Sequence, residues 1–187
     1  MAHFLPHTLF TFYLIIFSVF LNKSIDGFFF RQFIRQTKGT DSTRHLHFYF
    51  HDILSGKNPT AVNILTPPGG SIASFGSTIM IDDALTEEQD STSKVIGRAQ
   101  GFYSVASQSE LAFLMVMTFS FVEGEYSGST LSILGRNPVM NGVREMAVVG
   151  GTGKFRFARG YALAHTVWFD AFTGDATVEY NVYVSQD

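Results

Sequence analysis

The chain has 187 residues, the length of a single domain, and is 45 % hydrophobic against 16 % charged, so it carries enough apolar material for a sizeable core. A net charge of −3 gives no reason to expect nucleic acid as a partner, because phosphate-backbone binding needs a basic stripe. Cysteine is absent, which excludes disulfides, zinc–thiolate sites and a cysteine nucleophile.

In chain order, the first feature is an apolar run over 9–21, too short to span a bilayer comfortably and followed by Asn22, Lys23 and Ser24. It is read as a secretory signal peptide over 1–26, with processing between Phe20 and Gly27. The mature protein is then extracellular and without stable membrane association. Without disulfides its stability must come from the core and from oligomerisation. Residues 27–43 form a flexible lead-in, and 44–187 form the folded domain.

From residue 44 onward apolar residues recur with period two between turn residues, and no amphipathic helix appears. Strands are predicted at 44–53, 75–82, 93–106, 112–122, 126–136, 143–149, 154–170 and 175–185, with a long loop over 58–74 and an acidic loop over 82–93. The fold class is all-β, an eight-stranded antiparallel β-barrel, since closure removes exposed sheet edges. Such a barrel has room for its own side chains or for one small ligand. Asp82 and Asp83 are read as turn caps or as part of a pocket mouth.

Alternation assigns the faces. Leu46, Phe48, Phe50 and Asp52 share the inner side of the first strand, and His45, His47 and His51 the outer. Tyr103 follows Gly97, Ala99 and Gly101 inward, and Phe119 follows Phe113, Met115 and Met117. Asn137 follows Leu131 and Ile133 inward while Arg136 points out, Arg144 is in register with Met146 and Val148, and Tyr180 lies between Val178 and Val182. The few inner polar groups are therefore Asp52, Tyr103, Asn137, Arg144 and Tyr180. They form either a structural ion pair of Asp52 with Arg144, satisfied in part by Tyr103, or the convergent polar contacts of an apolar ligand pocket. Phe102, Ala106, Ala162 and Trp168 are apolar and assigned outward, away from Phe155 and Phe157, which marks a subunit contact.

Gly150-Gly-Thr-Gly-Lys154 has Phe155 where a phosphate loop needs Ser or Thr, and strands follow it, so nucleotide binding is set aside. No Gly-x-Ser-x-Gly elbow exists for a hydrolase. The histidines of the first strand have metal-like spacing but no carboxylate beside them in sequence, and no metal is assigned.

The run Arg144-Glu-Met-Ala-Val-Val-Gly-Gly-Thr-Gly-Lys-Phe-Arg-Phe-Ala-Arg-Gly-Tyr-Ala162, with a tight turn expected at Gly150–Gly153, resembles the signature of the plant dirigent family. Phe48-Tyr-Phe-His-Asp52 and Gly97-Arg-Ala-Gln-Gly-Phe-Tyr103 resemble it too, in order, and the resemblance spans roughly 46–184. It implies a secreted trimeric barrel with a pocket for phenolic substrates and no cofactor. It implies pocket roles for Asp52, Tyr103 and Arg144, with Phe50, Phe119, Asn137 and Tyr180 as substrate-binding residues. In the lignan-forming branch, which steers coupling of phenoxy radicals, a second carboxylate lies in a Gly-Ala-Asp-Pro motif; here the run is Gly135-Arg-Asn-Pro138. Asparagine takes up and gives no proton at ordinary pH. The pattern is similar to the pterocarpan synthase branch, which removes water from a 4-hydroxyisoflavan in isoflavonoid phytoalexin biosynthesis. Two other functions stand beside it: non-catalytic direction of radical coupling, and a carrier that only binds a phenolic.

Overall fold

The computed structural model describes residues 43–185, so the expected signal peptide over 1–26, and the lead-in except Thr43, lie outside the described residues. Nine strands follow one another: β1 (Arg44–Asp52), β2 (Ala61–Leu65), β3 (Thr78–Thr86), β4 (Val95–Val105), β5 (Ala112–Phe121), β6 (Thr130–Pro138), β7 (Arg144–Thr152), β8 (Arg159–Phe169) and β9 (Ala176–Ser185). Short 3₁₀ turns occupy Gly124–Tyr126 and Gly153–Phe155. All pairings are antiparallel, in the order β1-β9-β8-β7-β6-β5-β4-β3-β2. A further pairing of β1 with β3 closes the sheet into an eight-stranded barrel, leaving β2 along β3 alone.

The extra strand β2 lies inside the stretch expected to be loop. Prolines on both sides hide it in the sequence, and only Ala61 of its five residues is buried, so it shows no apolar alternation. Thr60 and Ala61 both donate their N–H to the Ile53 carbonyl, which returns the chain to the β3 edge after an excursion over 54–59.

Other boundaries differ for local reasons. β3 runs on through Thr86, so Asp82 and Asp83 are strand residues and not turn caps. Asp82 faces outward and accepts from Arg98 and Gln100, whereas Asp83 faces inward and is 0 % exposed. β7 continues to Thr152, pairing Gly151 with Leu131, so the turn begins only at Gly153, whose φ is +59°. Phe155 then folds fully inside against Phe121 and Tyr126, at ring separations of 5.6 and 4.8 Å. Phe157, at φ +65° and 77 % exposed, does not share its face.

The interior is aromatic. Phe48 meets Phe119 edge-on at 5.1 Å and stacks on Tyr180 at 5.9 Å. Offset and edge-on arrangements of this kind suit the ring quadrupole. Gly101 is required by its backbone: with φ +151°, a Cβ there would lie 2.2 Å from the Val116 carbonyl of β5. Ala162 is inside the barrel rather than on its outer face, paired with Met146 and Val182 and wholly buried. A bulge between Thr166 and Trp168 changes the parity of β8, so Ala162, Ala164 and Thr166 point in while Trp168 points out. On the outer surface Val62, Met80, Phe102, Val116 and Leu134 stand in register across five strands.

Candidate active site

One end of the barrel is plugged by Phe121, Tyr126 and Phe155. The other end, where β1, β4, β6 and β8 finish and β5, β7 and β9 begin, holds a cavity of about 450 Å³. Its wall is largely apolar, with Phe50, Ile79, Phe113, Met115 and Val178 deep inside and Leu54, Ile72, Leu111, Val139, Met140 and Phe169 nearer the loops. Asp175 ties two of those loops together by accepting from the Leu54 and Ser55 amides and the Ser55 hydroxyl. Asp52, Tyr103, Asn137, Arg144, Thr166 and Tyr180 supply the polar contacts.

These polar groups fall on two walls. On the first, the Tyr103 hydroxyl donates to Asp52 Oδ2 at 2.8 Å. Burial raises the Asp52 pKa above the ordinary carboxylate range, against the lowering effect of that hydrogen bond, and the charge of Asp175 adds to the rise. Burial first, and then the Asp52 charge, push the Tyr103 phenol upward, so it stays protonated. Tyr103 rests on Phe113 at 4.9 Å, which fixes its ring.

On the second wall Arg144, 3 % exposed, donates from Nε to Asn137 Oδ1 at 3.0 Å and from Nη2 to Thr166 Oγ1 at 2.9 Å. Both partners are neutral, and burial lowers its pKa. Among the described residues no carboxylate pairs with Arg144, so the Asp52–Arg144 ion pair is not formed. The barrel instead keeps a desolvated cation and a carboxyl apart across an apolar space. A ligand with separated phenolic and alcoholic oxygens matches that layout, because each wall satisfies a different oxygen chemistry.

Phe50, Asn137 and Tyr180 line the cavity as well, and burial raises the Tyr180 pKa. Phe119 does not line it: it lies wholly buried between Phe48 and Tyr180, supporting the floor. The alternation that turned Phe119 inward was right, but depth along the barrel is not legible from alternation. One pocket residue was missed, and one buried carboxyl was placed on the wrong element. Thr166 could not be recovered from parity, because Ala162 on the same face was assigned outward and the bulge between Thr166 and Trp168 leaves no mark in the sequence. Asp83 was read as a turn cap or pocket-mouth residue because its strand was ended at residue 82. The outer histidines go to separate partners, His45 to Asn181, His47 to Glu179 and His51 to Thr86. A carboxylate absent beside them in sequence is thus supplied to His47 by β9.

A closed β-barrel with an apolar, dead-ended cavity and a few buried polar groups has the form of a small-molecule site. The dirigent-like protein family matches residues 43–185, and the chain belongs to that family. It is 53 % identical over 148 residues to dirigent protein 23 of Arabidopsis thaliana, covering 78 % of this chain and 79 % of that protein. It is 52 % identical over 143 residues to pterocarpan synthase 1 of Glycyrrhiza echinata, covering 75 % and 76 %. A solved pterocarpan synthase dirigent protein superposes with a TM-score of 0.75 at 49 % identity, covering 79 % of this chain and 97 % of its own.

Proposed function

We propose that this dirigent protein is a dehydratase that forms a pterocarpan from a 4-hydroxyisoflavan through a quinone methide. The observation that carries the reading is Asn137. At the position of the second pocket acid of the lignan-forming branch stands a neutral amide, and its oxygen is already engaged by Arg144. The cavity therefore has carboxyl chemistry on one wall only, which suits one water elimination rather than two symmetrical ring closures. Pterocarpan synthases of about this similarity support the same reading.

The chemistry follows from the two walls. Arg144 stabilises the phenolate whose electrons expel the 4-hydroxyl, and does so in a water-poor site where charge stabilisation is strong. Asp52, protonated, gives its proton to the departing hydroxyl, which leaves as water. Tyr103 holds the Asp52 carboxyl in place through its hydroxyl rather than touching the phenolate itself. The aromatic wall then presents the 2′-phenol to carbon 4 on one face, and closure returns a proton, so none is consumed overall.

The test is incubation of pure protein with a 2′,7-dihydroxyisoflavan-4-ol, following pterocarpan by chiral chromatography. Catalysed, enantioselective formation is expected. A rate equal to the buffer control rejects the reading, and optically active lignan from coniferyl alcohol plus a one-electron oxidant would favour radical coupling instead.

Two further parts of the proposal are secretion and a homotrimer. The apolar run over 9–21 supports the first. The outer stripe of Val62, Met80, Phe102, Val116 and Leu134 supports the second, since a face meeting only water has no need of it. Sedimentation of the protein lacking 1–26 is expected to give three times the subunit mass, and Phe102→Asp to give monomer.

A further inference from the structure

Asp83 is a fully buried carboxyl to which the dehydration derived above gives no task. The β1–β3 register pairs Phe50 with Leu85 and ends at His51 with Ala84, so that Asp52 and Asp83 are the next residues of the two strands, close enough for the Asp52 charge to act on Asp83. Each carboxyl has one oxygen already satisfied, Asp52 Oδ2 by the Tyr103 hydroxyl and Asp83 Oδ1 by the Thr60 hydroxyl. The remaining two oxygens, Asp52 Oδ1 and Asp83 Oδ2, are shut off from solvent and have no partner. Two ionised carboxylates so placed would leave two buried acceptors facing each other's charge. One proton between them supplies a donor and removes the repulsion.

We propose that Asp52 and Asp83 share one proton at neutral pH, and that Asp83 is a positioning residue that keeps this proton within reach of Asp52. Its use in catalysis rests on the dehydratase reading; the pair itself does not.

The surroundings favour one proton rather than none. Arg98 lies on the outer side and is taken by Asp82, and Arg144 is occupied across the cavity by Asn137 and Thr166. Tyr103 and Tyr180 stay neutral, and Asp175 contributes only further negative charge. Burial, followed by the Asp52 charge, raises the Asp83 pKa. In the reaction the pair gives its proton to the leaving hydroxyl as the carbon–oxygen bond breaks, and is refilled by the proton the 2′-phenol loses on closure. A pair of this kind titrates in two coupled steps, neither belonging to one residue.

The experiment combines ¹³C-carboxyl NMR titration of the substrate-free protein with the pH profile of kcat/KM, in wild type, Asp83→Asn and Thr60→Val. Wild type is expected to show two carboxyls titrating above the usual range. Asp83→Asn removes the neighbouring charge, so the Asp52 midpoint is expected to fall by about one pH unit or more and the rate above it by about tenfold. Thr60→Val removes a bond that favours ionised Asp83, so the upper step is expected to rise. Folding stability gives a third reading: a raised folded pKa stabilises below the ordinary carboxylate range, and that contribution is lost as pH rises through the raised values. The melting temperature of Asp83→Asn is therefore expected to fall less than that of wild type toward alkaline pH.

Independent titration of both carboxyls in the ordinary range, or an Asp52 midpoint unmoved in Asp83→Asn, overturns the pair. If Asp83→Asn does not fold, the wild-type titration and Thr60→Val decide. Raised, coupled titrations in a protein inert toward isoflavanol would reject the dehydratase reading and leave the pair standing.

Discussion

At the Asp52 wall of the cavity, like charges are brought together with a hydrogen-bonding phenol, and the buried carboxyl is driven toward its neutral form. At the Arg144 wall, a cation is desolvated among neutral partners and keeps its charge, since guanidinium is too basic to lose it at ordinary pH. Burial acts on both, but it turns one group into a proton donor and leaves the other as an uncompensated charge awaiting an anion. The difference lies in the intrinsic basicity of each group, not in how deeply it is buried.

The largest expected effect is at the acid wall. Asp52→Asn keeps the shape but removes the transferable proton, and kcat for isoflavanol dehydration is expected to fall by about 10²- to 10⁴-fold. Steady-state kinetics should place that loss in kcat, with KM little changed. A variant retaining full activity would move the acid elsewhere.

Next is Arg144→Met, which removes the cation at similar volume. Loss of a single charge-stabilising group costs roughly 10²- to 10³-fold in rate. Removing the desolvated charge offsets the loss of its hydrogen bonds to Asn137 and Thr166, so the melting temperature is expected to change by no more than a few degrees. Collapse of the fold together with activity would make Arg144 structural.

Asn137→Asp gives Arg144 a carboxylate partner and so converts the open cation into an ion pair. Dehydration is expected to slow by about tenfold as the phenolate loses its counter-charge. The new carboxylate should have a depressed pKa, so it adds stability above the ordinary carboxylate range that is lost as pH falls through the depressed value. Thermal melts across pH 3 to 7 read this directly.

The smallest effect is at Tyr103. Its hydrogen bond lowers the Asp52 pKa, so Tyr103→Phe is expected to move the pH midpoint upward, with less than tenfold change in rate. That shift opposes the one expected for Asp83→Asn, and the two variants together separate the contributions of hydrogen bond and neighbouring charge.

How much of this was legible in the sequence follows from which interactions are local. Period-two alternation depends only on the pleat, so it identified the barrel and turned Phe50, Asp52, Tyr103, Asn137 and Arg144 inward. The substitution of an amide at Asn137 was likewise visible as a residue type in a motif. Three things were not local. β2 adds to the β3 edge because of pairing between distant segments, with little burial of its own to mark it. Asp83 meets Asp52 only because β1 closes onto β3, thirty-odd residues along the chain, and Thr166 meets Arg144 only through the β7–β8 register. The sequence by itself determined the class of fold and turned Asp52, Tyr103, Asn137, Arg144 and Tyr180 inside, but not Asp83 or Thr166. The closure of the barrel decided which of them face one another, and with that which buried group holds a proton and which holds a charge, because pairwise electrostatics depends on distance in space and not on spacing in the chain.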